Sequence, residues 1–410
     1  MKTLARLAVL ILLAPALLLA QTSTGQTTTG TQANTKPAYA QPETSGAQQS
    51  APAETAGSPH AGQEAAAAAP AAPKVPLPYP VMSDKAKQRA RQLYEYFAHG
   101  QASLLYASFT PGMKKQSPET KIAAIAKQME EKLGSPTQTL AENFVPGFGA
   151  AVTIYTHTSA YSKSKMPVVV VVAVTGEGNL ADLQISPVPA IPADEYADYE
   201  DTTKLRLPFN GSWMVLQGGR TVYDNAFAAT DDHRYTTSFI AVKDGVPYEN
   251  TGRKNSDYYC WGQPVLSPAA GLVIQSSGNY ADHPPGRMPE IQSRGNYVVI
   301  AHGNNEFSLI PYLKAGSLKV RNGQRVKQGE VVGECGDSGS SFAPHVEYSL
   351  QNTRGFPLPQ TMPAQFVDYT ADGKAVPIGE PLRGQMVENQ PTAAPVETAV
   401  KPEEKPADKQ

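Results

Sequence analysis

Apolar residues recur at helical spacing in "SDKAKQRARQLYEYFAHG", where Leu93, Tyr94 and Phe97 share one face of a helix. Ser83 is placed to cap its N-terminus and Gly100 to stop it. The spacing predicts a second helix in "SPETKIAAIAKQMEEKLG". Ser117 is its expected cap, Pro118 sits in the first turn where a missing N–H costs nothing, and Gly134 ends it. Beyond Gly134 the period changes. "AAVTIYTHTSAY", "MPVVVVVAVTGEGN" and "LADLQISP" predict strands, the middle one apolar throughout and therefore buried on both faces. Two helices followed by antiparallel strands make residues 81–187 an α+β unit, with the helices packed on a curved sheet.

Residues 188–204 are rich in proline and acid and read as a connector. From 205 to 370 the pattern is all β, short strands between glycine turns. "GNYVVIAHGNNEFSLI" predicts two strands joined by a turn. In "LKVRNGQRVKQGEVVGECG" the pair Asn322-Gly323 marks a tight turn. Gly329, Gly333 and Gly336 repeat the corner, while Val320, Val326, Val331 and Val332 supply an apolar lining. A compact antiparallel sheet folded on itself fits that texture. The run "APHVEYSLQ" then places His345 and Glu347 two residues apart on a strand, so both side chains face the same way. Such a pair suits half a metal site, an acid/base pair or the remnant of either.

The ends of the chain differ from both parts. Residues 1–20, "MKTLARLAVLILLAPALLLA", have the charged start and short apolar run of an export signal. Residues 21–80 and 371–410 are Ala-, Pro-, Thr- and Glu-rich, with too little apolar surface to offset ordering entropy, and are expected to be a disordered linker and tail. A net charge of -2 with no basic block argues against nucleic acid as a partner. Membrane contact is expected at most through an uncleaved N-terminal segment. Cys260 and Cys335 are the two cysteines; in an exported protein they can bridge or stay reduced, and both alternatives stand at this point.

"GQPVLSPAAGLVI", "GNYVVIAHG" and "KAGSLKVRNGQRVKQGEVVGECGDSGSSFAPHVEY" resemble, in order, the pattern of the lysostaphin-type (LytM) zinc metalloendopeptidases. "WMVLQGGRTVYDNAF" and "RYTTSFIAV" are similar to the entry strands of one subgroup. The resemblance implies an all-β, duplicated-hybrid-motif fold and an enzyme that cuts peptide cross-bridges of bacterial walls. It also implies a zinc held by histidine, aspartate and histidine, with water in the fourth position. Matched residue by residue, Phe227 stands where the first histidine ligand belongs, Ser238 where the aspartate belongs and Glu347 where the last histidine belongs. Tyr312 occupies the place of a catalytic histidine, and His345 alone is retained.

Asp231, Asp232 and His233 lie just before the lost aspartate position and could, with Glu347, rebuild a metal site. His302 reads as structural and His283, in "ADHPPG", as solvent-exposed. Cysteine catalysis by Cys335 with His345 is set aside, because the resemblance makes Cys335 part of a structural turn. In the first unit, "HGQASLLYASFTPGMK" and the order of elements resemble cone-like, nuclear-transport-factor-like domains of unknown function. Its histidines, His99 and His157, read as structural or solvent-facing, and no chemistry is assigned to them.

The expectation is an exported protein of the periplasm or cell envelope with no catalytic residue and no cofactor, unless a rebuilt site takes zinc. A groove of His345, Glu347, Tyr312, Phe227 and Ser238 would bind peptidoglycan or serve a wall hydrolase that the protein regulates. The alternatives are an active zinc endopeptidase with a rebuilt site and a structural envelope component.

Overall fold

The computed structural model describes residues 80–147, 151–230, 233–287, 293–353 and 360–391. The expected export signal, all but the last residue of the linker, Asp231, Asp232 and the tail beyond 391 lie outside the described residues. Helix α1 (Asp84–Ala98) begins where the Ser83 hydroxyl accepts the Ala86 N–H, and it buries Leu93, Tyr94 and Phe97. Two short helices follow that the apolar spacing does not predict, α2 (Ala102–Ala107) and α3 (Pro111–Gln116). Ser117 does not cap the next helix: it closes α3, and α4 (Glu119–Leu133) starts after Pro118 without a side-chain cap. The ring of Pro118 disfavours helical backbone at the residue before it, so Ser117 is held extended. Gly134 ends α4 at φ 73°, as expected.

Strands β1 (Pro136–Pro146), β2 (Val152–Tyr161), β3 (Val168–Thr175) and β4 (Leu180–Pro187) pair in sequence order as an antiparallel sheet. The apolar run of β3 is buried on both faces. One face packs Val170, Val172 and Leu180 against Leu93, Phe97 and Leu105 of the helices. The other packs Val171 against Val145 and Ile154. This layer meets the next directly, where the Asn143 amide donates to the Tyr223 carbonyl at 3.0 Å.

The second layer is built from β5 (Trp213–Gln217), β6 (Thr237–Ala241), β7 (Pro264–Leu266), β8 (Gly271–Ser277), β9 (Asn296–Gly303), β10 (Glu306–Leu313), β11 (Arg325–Val326) and β12 (Val331–Glu334). It continues with β13 (Val346–Gln351), β14 (Thr361–Met362), β15 (Phe366–Ala371), β16 (Lys374–Gly379) and β17 (Met386–Asn389). The main sheet runs β11-β8-β9-β10-β13-β6-β5-β17-β15-β16, with β14 also on β13, and β12 pairs with β7 separately. Its core gathers Phe209, Phe239, Ile240, Val298, Tyr348 and Phe366. Strand β13 is flanked by β10 and β6, which sets the residues of three distant segments side by side.

The C-terminal boundary is a correction. Residues 371–391, expected to be tail, carry β16 and β17, and β17 is inserted between β5 and β15. Polar composition misleads here because one side chain does the work of a strand. The Asn389 amide accepts the Leu207 N–H at 3.1 Å and donates to the carbonyls of Leu207 and Phe209, each at 2.9 Å. With the bond it accepts from Arg206 Nε at 3.3 Å, Asn389→Ala removes four hydrogen bonds and should destabilise the protein by about 1–3 kcal/mol. Urea unfolding checks this, and an unchanged midpoint would mean the tail is not part of the folded unit.

Candidate functional site

Alternation along β13 sends Val346, Tyr348 and Leu350 into the core. His345 and Glu347 lie on the opposite face, with His345 Nε2 3.8 Å from the Glu347 carboxylate. Glu347 is paired in register with Ser238 on β6, and both are buried. The ring of Tyr312, on β10, lies 5.7 Å from that of His345. Tyr312 has φ 63°, a left-handed backbone that is unusual for a bulky residue, at a break in register between Ile310 and Leu313. Its N–H donates to the Arg294 carbonyl at 3.0 Å instead of to the neighbouring strand. Phe227 sits on a one-turn 3-10 helix, Ala226–Ala229, capped by Asn225. The Asn225 amide fastens that turn to the carbonyls of Arg234 and Thr236, at 3.0 and 3.1 Å. The Phe227 ring contact is with His233, centroids 5.9 Å apart. Thus Tyr312, His345, Glu347 and Ser238 come together on three adjacent strands, while Phe227 packs to one side.

His345 Nδ1 lies 2.8 Å from the Ala343 carbonyl, a contact in which the ring N–H donates. That bond leaves Nε2 facing Glu347. Burial alone would lower the His345 pKa, but the Glu347 carboxylate outweighs it and holds the group above the ordinary histidine value. Two further groups enter from the loops below. Asp337, in "GECGDSG", is fully buried with neither carboxylate oxygen hydrogen-bonded. Burial pushes its pKa up to about 6, against the pull of His283 and His345. His283 is not the solvent-exposed residue expected of a Pro/Gly loop. Its side chain is 16% exposed, with Nε2 2.8 Å from the Gly339 carbonyl and Nδ1 3.6 Å from Asp337. Nothing in strand alternation points to Asp337 or His283; a turn brings them in from outside the β13 pattern.

His302 is structural: its nitrogens meet the Ala270 carbonyl at 2.8 Å and the Ser308 hydroxyl at 2.7 Å. Cys260 and Cys335 are both buried and free, with the Cys260 thiol donating to the Pro344 carbonyl at 3.0 Å. Burial raises the Cys335 thiol pKa well above its usual value, which opposes any nucleophilic role.

Zinc requires three protein donors converging with nitrogen, sulfur or oxygen lone pairs. Phe227 offers no donor and the Ser238 hydroxyl is neutral, so of the three ligand positions only Glu347 supplies a charged or basic donor, and His345 Nε2 faces that carboxylate. Among the described residues no three His, Cys, Asp or Glu side chains converge to hold a metal ion. The residues present do not fit the zinc centre implied by the resemblance.

Two outcomes test this geometry. In Glu347→Gln the His345 pKa should fall, since burial then meets less opposition; ring NMR titration reads it, and an unmoved pKa would break the pairing. Asp337 has a folded pKa above its unfolded one, so ionising it costs stability as pH rises from about 4 to about 6. Asp337→Asn should therefore gain stability relative to the parent over that window, by up to about 3 kcal/mol, and hold the gain above it. Denaturant unfolding at a series of pH values checks both sign and window.

Residues 254–358 match Peptidase family M23. Over 105 residues the chain is 33% identical to the peptidoglycan DD-endopeptidase ShyC of Vibrio cholerae serotype O1, covering 24% of this chain and 21% of that protein. It is 34% identical over 97 residues to the peptidoglycan DD-endopeptidase ShyA of the same organism, covering 24% and 19%. The chain thus spans about a fifth of the length of these curated relatives. Among solved structures, the catalytic domain of a variant of the prophage-encoded M23 protein EnpA from Enterococcus faecalis covers 39% of this chain and 94% of its own at 21% identity. Its TM-score is 0.25, too low to bear on the fold. The matched span holds Tyr312, His345 and Glu347 but neither Phe227 nor Ser238. The strands that bring Tyr312 to His345 and Glu347 thus form a LytM-type domain of Peptidase family M23.

Proposed function

We propose that this chain is an exported, non-catalytic M23-domain protein of the bacterial envelope that binds peptidoglycan through the surface around Tyr312 and His345. The observation that carries the reading is the donor set: Phe227, Ser238 and Glu347 stand where the resemblance requires histidine, aspartate and histidine. In place of three zinc-binding side chains, Ser238 and Glu347 stand in register on paired strands, and the His345 ring lies 5.7 Å from that of Tyr312. Tyr312 offers an apolar body with a polar tip, the kind of side chain that anchors peptide and glycan contacts. The names of the two relatives, both peptidoglycan DD-endopeptidases, support the wall polymer as the ligand class. Recruiting or restraining a separate wall hydrolase is the regulatory form of the same reading. Among the described residues no helix is long and apolar enough to cross a membrane.

The full chain, purified without chelator or metal-binding tag, should carry far less than one zinc per molecule by elemental analysis. It should sediment with insoluble peptidoglycan without releasing peptide fragments. Tyr312→Ala should weaken that binding about tenfold, the cost of truncating a central aromatic contact. Stoichiometric zinc together with chelator-sensitive cleavage would overturn the reading in favour of a rebuilt enzyme. Failure to bind any wall fraction would leave only a structural envelope role.

A further inference from the structure

Away from the M23 strands, the N-terminal layer holds a second polar constellation. Alternation on β2 puts Tyr155, His157 and Ser159 on one face. The ring of Tyr94, from α1, stacks on His157 with centroids 3.8 Å apart and an angle of 24° between planes. His157 Nε2 lies 2.8 Å from the Ser159 hydroxyl and 3.4 Å from that of Thr139 on β1. His157 Nδ1 lies 2.7 Å from the Tyr155 hydroxyl, which donates to the Glu142 carboxylate. The directions of these bonds are fixed by the last one. Because the Tyr155 proton goes to Glu142, His157 must donate from Nδ1, and its Nε2 lone pair must accept. Burial lowers the His157 pKa, and the donors Tyr155 and Arg91 hold Glu142 below the usual carboxylate range, so a neutral imidazole feeding an ionised carboxylate is the stable arrangement.

One end of this chain of bonds, His157 with Ser159 and Thr139, lines a cavity of about 210 Å³ between α1 and β1–β2, together with Tyr94, Glu95 and His99. None of its lining residues is lysine or arginine, so it is no site for an anion. Ser159 is 1% exposed and its hydroxyl is turned to His157, which places it in the wall and not in position to attack a substrate. What faces the opening is a set of hydroxyl, carboxylate and imidazole groups, with the exposed Thr139 at one side and the Glu95–His99 pair, 3.1 Å apart, at the other. Such a lining rewards a compact molecule with many hydroxyl or amide donors. The volume, below the range of drug-sized pockets, admits one small ring.

We infer that this cavity is a binding site for a single neutral sugar ring. The inference does not rest on how the M23 domain is read. In the full chain with ring-labelled histidine, nitrogen NMR should find His157 neutral with its proton on Nδ1. Glucose or N-acetylglucosamine should shift the His157 signals saturably, and glucuronate, matched in size but anionic, should bind at least tenfold more weakly. Thr139→Val, at the exposed side of the cavity, should keep the His157 tautomer and weaken the neutral sugars about tenfold. Gln138→Ala, on the exposed rim of the same strand, serves as the second variant and should also weaken them. A proton on Nε2 would overturn the inference, as would no saturable shift with either neutral sugar, equal binding of glucuronate, or full binding in both variants.

Discussion

A carboxylate removed from water must be met by donors or give up its charge, and Glu306 sets that condition where the connector meets the second layer. It is fully buried at the start of β10 and accepts from five donors: the Tyr199 hydroxyl and the backbone and side chains of Thr202 and Thr203. Burial would raise its pKa, but these donors win and hold it below the ordinary value. The neighbouring Asp201 goes the other way, pushed up to about 7 by burial, with the Glu306 charge adding to the push. Satisfying one acid therefore pins the connector to β10. From there Asp201 reaches the Gln365 N–H at 2.9 Å and Leu205 bridges to Phe366. The segment that looks like a spacer is the staple between β10 and β15, and β10 is one wall of the Tyr312 site.

Legibility followed the length scale of the interactions. The unbroken apolar run "VVVVV" and the alternation of "HVEYSLQ" are local, and the buried β3 and the common face of His345 and Glu347 emerged where those patterns placed them. The Ser83 cap is equally local. Ser117 was misread because the cap position falls one residue later, on Pro118, which has no side-chain oxygen to accept a helix N–H, and Ser117 closes the preceding helix instead. The 371–391 segment was misread for a different reason. Its stability comes from Asn389 bonding to residues about 180 positions away, a contact with no trace in composition.

The two constellations differ in the same way. His345, Glu347 and Ser238 could be named from pattern and resemblance, and strand pairing gathers them. His157 could not. Its face-sharing with Tyr155 and Ser159 was visible in the alternation, but the groups that give it a direction, Glu142 and Tyr94, arrive from β1 and α1. A histidine on a strand is neutral information until its partners are known.

The backbone at Tyr312 carries a further consequence. A left-handed φ is strained for tyrosine but far better tolerated by asparagine, aspartate and histidine. The main chain at this position therefore suits asparagine, aspartate or histidine better than the tyrosine it carries. The two aromatic positions thus differ in how readily they accept a polar side chain. At 312 such an exchange would relieve backbone strain, whereas at 227 it would break the ring contact with His233 on the one-turn helix.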